Sequence, residues 1–182
     1  MPVADWERIE SEELADYEVF SVLRHRSRSP RTGDVHRFHV LSVPHCVIAI
    51  PFTTDGHIVM VEQFRHAVQR VTLEFPAGVI EDGEDAVAAG QRELEEETGY
   101  CPASAELVGE FDPDPAIQSN AVRVVVAREC QRNGRRNQDS GEDVAVRVVD
   151  PAEIPDLIAD GVIRSAPAIT AWSLLNRRGD TG

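Results

Sequence analysis

Residues Gly78–Tyr100 read GVIEDGEDAVAAGQRELEEETGY. Three glutamates of this stretch, Glu93, Glu96 and Glu97, stand at i, i+3 and i+4. On an α-helix those positions share one face. Carboxylates placed that way repel one another in water, so the cluster makes physical sense against a strong positive charge. A divalent metal ion, which takes oxygen ligands, supplies one. Just upstream, Pro76-Ala77-Gly78 is a glycine-punctuated loop able to bring backbone carbonyls to the same ion. A Glu-Leu-Glu-Glu-Glu run standing alone is ordinarily a solvated helix face. The residues around it decide between the two readings.

The helix should start near Glu84 or Asp85 and run to about Thr98. Acidic residues in its first turn suit the helix dipole, and Gly99 is placed to end it. Val87 and Leu94 supply its buried face. Upstream, CVIAIPF (Cys46 to Phe52) is a nearly continuous apolar run, which reads as a strand buried on both faces. The turn Thr53-Thr54-Asp55-Gly56 leads into HIVMVEQF (His57 to Phe64), so these two strands make a hairpin. Tyr17 to Leu23 and His36 to Leu41 alternate as strands, which makes the first 44 residues strand-rich. Downstream, Leu107 to Phe111, Ala121 to Ala127 and Val144 to Val149 read as strands. Pro151 to Asp160 and Ala166 to Asn176 read as helices, and Gln131 to Glu142 as a polar loop. Strands and helices without a regular βαβ rhythm point to an α+β chain.

Around the acidic helix every fixed position of a longer pattern is filled. Gly78 is followed after five residues by Glu84, and after seven more by Arg92-Glu93-Leu94, then Glu96-Glu97 and Gly99-Tyr100. This pattern resembles the Nudix box of the Nudix hydrolases, with Tyr100 where an aliphatic residue is more usual. Gln63-Phe64-Arg65 and Glu74-Phe75-Pro76-Ala77-Gly78 resemble the Gln-aromatic-Arg and Glu-x-Pro-Ala-Gly patterns of the branch that hydrolyses ADP-ribose and nucleoside-diphosphate sugars. Pro115, fifteen residues past Tyr100, is similar to a proline that marks the ADP-ribose members. The resemblance covers most of residues 46 to 176 and is most specific from Gln63 to Tyr100.

What the resemblance implies is concrete. The fold would be an α/β/α sandwich, a mixed β-sheet between helices, formed by residues 45–182 after an N-terminal extension of residues 1–44. The reaction would be Mg²⁺-dependent cleavage of the pyrophosphate of ADP-ribose or another nucleoside-diphosphate sugar, with Mn²⁺ as a substitute ion. Ala77, through its carbonyl, with Glu93, Glu96 and Glu97, would hold the metal. Gly78, Glu84 and Arg92 would orient those ligands. Arg65, whose guanidinium suits bidentate contact with phosphate, would bind substrate together with Glu74, Pro115 and Arg37, the last from a partner subunit. Two residues compete for the general base: Glu96 in the box, and Glu142 in the polar loop before the Val144 strand. The branch is usually a homodimer with exchanged N-terminal strands. Two rival readings stay open, an enzyme of nucleoside triphosphates and a non-catalytic sensor of nucleotide sugars. The intact acidic set argues against the sensor.

Composition sets outer limits. A chain of 182 residues with 42% apolar content is long enough for one domain with a sizeable core. No apolar run approaches the ~20 residues needed to span a bilayer, and the acidic start MPVADWERIESEE is no secretory signal. The expected location is the cytoplasm, with no membrane partner. A net charge of −14 argues against broad nucleic-acid binding. It also means that bound metal and local arginines must overcome the mean field before a diphosphate can bind. All 18 basic residues are arginine. Codon bias is the ordinary cause of a lysine-free chain, and adaptation to high salt the sharper one. Cys46, Cys101 and Cys130 are too scattered for a zinc site or a disulfide framework.

Overall fold

The computed structural model describes residues 2–134, 136–137 and 143–177. Its strands are β1 (Glu7–Asp16), β2 (Ser21–Arg28), β3 (Val35–Ser42), β4 (Cys46–Thr53), β5 (Ile58–Arg65), β6 (Arg70–Glu74), β7 (Ala77–Val79), β8 (Tyr100–Cys101), β9 (Ser104–Phe111), β10 (Val122–Arg132) and β11 (Val144–Val149). Three helices, α1 (Ala86–Thr98), α2 (Ile154–Ala159) and α3 (Ala166–Arg177), complete the described elements, with one 3₁₀ turn at Pro151–Glu153. The chain forms two compact units: Met1–Pro44 with Asp112–Ala121, and His45–Phe111 with Val122–Gly182.

The first unit is an antiparallel sheet in the order β1-β2-β3. Ladders of opposite charge run across it, Glu12 with Arg24, Glu10 with Arg26 at 2.8 Å and Glu7 with Arg28 at 3.4 Å. The segment Asp112–Ala121 joins at β3, where the Leu41 N–H donates to the Ile117 carbonyl at 2.8 Å and the Ser119 N–H to the Leu41 carbonyl at 3.1 Å. Tyr17 to Leu23 is not one strand. Tyr17 turns back on Phe20, donating to its carbonyl at 3.0 Å, and Glu18 adopts a φ of 54°. A left-handed residue ends strand pairing, so β2 starts only at Ser21.

The second unit is built on β4. Its sheet runs β11-β5-β4-β10-β8, with β6 added on β5, β7 on β4 and β9 on β10. The β4–β10 pair is parallel and the other pairs are antiparallel, so the sheet is mixed. Residues 47–52 are all buried, as their unbroken apolar run demands. Period-two alternation splits them between two faces. Ile48, Ile50 and Phe52 pack with Val124, Val126 and the Ala168, Ala171, Trp172 and Leu175 side of α3. Val47 packs with Ala89, and Ala49 with Leu94, both on α1. One helix on each face makes the α/β/α sandwich of the α+β class expected from sequence. Leu94 is fully buried, which contributes about 1.5–3 kcal/mol over leaving it exposed.

Three local expectations change. Pro76-Ala77-Gly78 is not simply a loop: Ala77–Val79 pairs antiparallel with β4, Ala77 opposite Ile48 and Gly78 opposite Val47. The first turn of α1 carries no acidic residue. Asp85 is instead the N-cap, its carboxylate accepting from Val87 N–H at 2.9 Å and Ala88 N–H at 3.4 Å. At the other end Gly99 has a φ of 75° and donates its N–H to the Glu95 carbonyl at 2.7 Å, a left-handed cap suited to glycine. Val87 is only half-buried. Ala86, Ala89, Gly90, Leu94, Glu97 and Thr98 form the inner face.

Candidate active site

Arg92 is the hub of the box. Its Nε and Nη2 donate to the two carboxylate oxygens of Glu84 at 3.0 and 2.9 Å, a fork-on-fork pair. Nη2 also donates to the Val79 carbonyl at 2.9 Å, which ties α1 to the end of β7. Nη1 donates to Glu93 Oε1 at 2.7 Å and Glu96 Oε2 at 3.2 Å. Glu84 and Arg92, eight residues apart, are therefore an ion pair. Glu84 stands before the helix rather than on it, and accepts the Glu81 N–H at 3.0 Å as well. The Arg92 guanidinium holds the Glu84 carboxyl below its ordinary 4.5, and Glu84 in turn raises Arg92.

The glutamates differ in setting. Glu97 lies on the inner face of α1 with 4% exposure, whereas Glu96 has 37% of its side chain exposed. The Glu93 carboxylate rests directly on Gly78. A Cβ built on Gly78 would stand 2.1 Å from Glu93 Cδ and from Oε1. Only glycine permits that approach. Ala77 precedes this cradle at a wide position of the β4–β7 ladder. The narrow bonds there are Ala49 N–H to the Pro76 carbonyl and Ile80 N–H to the His45 carbonyl, each 2.9 Å. The Ala77 carbonyl therefore turns away from β4.

The donor set fits a hard divalent cation: carboxylates of two adjacent helical turns, a strand carbonyl and a cradle shaped for one carboxylate. Among the described residues, however, no three His, Cys, Asp or Glu side chains converge on one metal-holding point. Arg92 draws Glu93 and Glu96 toward itself, while Glu97 faces inward.

A second cluster lies on the β5–β6 hairpin. Arg65 Nε and Nη2 donate to Glu74 Oε1 and Oε2 at 3.1 and 3.3 Å. Arg65 is thus bound to Glu74 by one edge of its guanidinium, with 41% of its side chain exposed. The Thr72 hydroxyl sits 2.5 Å from Glu74 Oε1 and 3.2 Å from the Gln63 carbonyl. Thr72 escaped the sequence reading because β6 did; alternation in Arg70–Glu74 would have placed it beside Glu74. Gln63, Phe64, Arg65 and His66 line, with Asp143, an open hollow of about 210 Å³.

Arg37 and Pro115 fall in the first unit. Arg37 is an exposed β3 residue opposite Arg26, and Pro115 an exposed residue in the turn that follows Asp114. Glu142 lies outside the described residues. Burial pushes the Cys130 thiol up to about 12, with Cys101 nearby adding to the effect, so Cys130 stays a neutral thiol. Among the described residues no helix is long and apolar enough to cross a membrane.

A mixed sheet between helices, with a glutamate-bearing helix docked through an Arg–Glu hub, defines the class: an α/β/α sandwich presenting an acidic box. A family model described as the NUDIX domain matches residues 44–172. The chain belongs to the NUDIX domain family. Among curated relatives, an ADP-ribose pyrophosphatase of Bacillus subtilis is 34% identical over 118 residues, 64% of each chain. An ADP-ribose pyrophosphatase of Mycobacterium tuberculosis is 33% identical over 132 residues, 72% of this chain and 63% of that one. The chain thus matches just under two thirds of the length of either relative. A solved structure, "Crystal structure of ADP compounds hydrolase", superposes with a TM-score of 0.85 over 99% of both chains at 21% identity, a likeness of fold.

Proposed function

We propose that this protein hydrolyses the pyrophosphate bond of ADP-ribose or a related nucleoside-diphosphate sugar, giving a nucleoside monophosphate and a sugar phosphate. The observation that carries the reading is the Glu93 carboxylate seated on Gly78 beside the Arg92–Glu84 fork. A Cβ at position 78 would collide with that carboxylate, and Arg92 Nη1 donates to its Oε1 at 2.7 Å. Naming as ADP-ribose pyrophosphatases of two relatives above 30% identity supports the substrate class.

Glu93, Glu96, Glu97 and the Ala77 carbonyl are the residues that would hold divalent metal, with Mg²⁺ the expected ion. Bound there, the metal would neutralise phosphate charge and acidify water. Arg92 and Glu84 keep the helix registered against β7. Arg65, oriented by Glu74 and Thr72, offers Nη1 to a phosphate oxygen. Glu96, the more exposed carboxylate, can accept a proton from water; Glu142 is the rival for that step. The chain would act as a homodimer through its first 44 residues. Their sheet leaves Trp6, Ile9, Leu14 and Phe38 each more than 40% exposed.

The test is incubation with Mg²⁺ and a panel of nucleotide sugars and nucleoside triphosphates, with products resolved by ³¹P NMR. Paired monophosphate products from a nucleotide sugar are expected. Turnover of triphosphates alone would favour the rival enzyme, and binding without turnover the sensor.

A further inference from the structure

The last turn of α1 contains no basic residue of its own. Carbonyls at a helix C-terminus lack intrahelical partners, and the dipole concentrates negative charge there. Here they are met by the chain that follows β10. Asn137 N–H donates to the Glu96 carbonyl at 3.0 Å, and Gly134 N–H to the Gly99 carbonyl at 3.1 Å. Arg136 Nε donates to the Glu97 carbonyl at 2.9 Å, across 39 residues of sequence. Arg136 Nη2 donates to the carbonyl of Val144, the first residue of β11. One planar guanidinium thus joins the end of α1 to the start of β11.

We propose that Arg136 is a positioning residue: it holds the last turn of α1, and with it the Glu96 and Glu97 carboxylates, in working register. The inference rests on the function proposed above. Two features support it. The cation complements the helix C-terminus, replacing the basic residue that the helix lacks. The guanidinium fork also reaches two carbonyls from different elements together, which a lysine ammonium, a single point charge on a flexible stem, does not reproduce. Of these two carbonyls, that of Glu97 belongs to a residue assigned to the metal, so loosening this turn moves the chemistry itself.

The experiment compares the parent with Arg136→Lys and Arg136→Met in the full chain. Hydrogen exchange of the Glu97, Thr98 and Gly99 amides reports the turn without reference to activity. Mn²⁺ affinity by electron paramagnetic resonance, and kcat and KM on ADP-ribose, report the site. Both variants should exchange these amides about fivefold faster or more, bind Mn²⁺ about fivefold more weakly and lose about tenfold in kcat, with KM within about twofold. Arg136→Lys, which keeps the charge, should fall most of the way to Arg136→Met. Unchanged exchange in either variant overturns the proposal. So does faster exchange with Mn²⁺ affinity and kcat intact, because Arg136 would then be a stabilising cap alone. A parent that neither binds Mn²⁺ nor turns over any nucleotide sugar refutes the function proposed above. The exchange result then still decides whether Arg136 holds the turn.

Discussion

Gly78 and Glu93 show what a single atom decides. The Glu93 carboxylate occupies the volume that a side chain at 78 would fill. Gly78→Ala must therefore displace either the carboxylate or β7. The expected outcome is a loss of about a hundredfold in kcat with the far-ultraviolet circular dichroism unchanged, since small misplacements at a reacting centre cost that much. Activity within a few-fold of the parent would show that Glu93 acts from another position. The Glu84–Arg92 pair makes a pH prediction. Arg92 depresses the Glu84 carboxyl in the folded chain, so the unfolded chain takes up this proton first as pH falls. The pair's stabilisation is thus fully present above the ordinary 4.5 and is lost as pH falls through the depressed folded value. Glu84→Gln should lower the midpoint of urea unfolding at pH 7, and the gap to the parent should narrow in acid. A gap independent of pH would contradict the assignment.

At the scale of elements, α1 is specified by its own ends. Asp85→Ala removes the N-cap and should cost about 1 kcal/mol in urea unfolding; no measurable loss would mean that tertiary packing alone sets the helix start. Those local signals are why the helix was legible in sequence to within a residue or two. The buried run of β4 was equally plain, because burial on both faces leaves no polar positions. Short elements were not. β7 has three residues, two of them Ala and Gly, and exists only because β4 offers it an edge. β6 begins after Gln69, whose φ of 53° closes a turn that its residue type does not announce. Missing β6 hid Thr72 and the pairing of Arg65 with Glu74. Arg136 was invisible for a similar reason, because its partners lie on α1 and β11. Box residues were legible as a set, but the inward setting of Glu97 and the hub role of Arg92 depend on packing that spacing does not encode.

For the whole molecule, a net charge of −14 must be reconciled with an anionic substrate. The mean field repels a diphosphate, and salt screens that repulsion. At saturating Mg²⁺, kcat/KM should rise as ionic strength goes from about 0.01 M to 0.15 M, where the Debye length shortens from about 30 to 8 Å. A fall instead would show that local arginines, not the mean field, steer the substrate. Sedimentation of the full chain should give twice the mass of one chain if the exposed apolar residues of the first unit meet a second copy. If the acidic face of α1 holds metal for pyrophosphate hydrolysis, as proposed, Glu97→Gln should abolish most of the activity. The substitution keeps shape and removes charge. At fixed Mg²⁺ and saturating ADP-ribose, kcat should fall by about a hundredfold or more, with the unfolding midpoint near that of the parent. A kcat within a few-fold of the parent would mean that the Glu97 carboxylate holds no metal that hydrolysis needs.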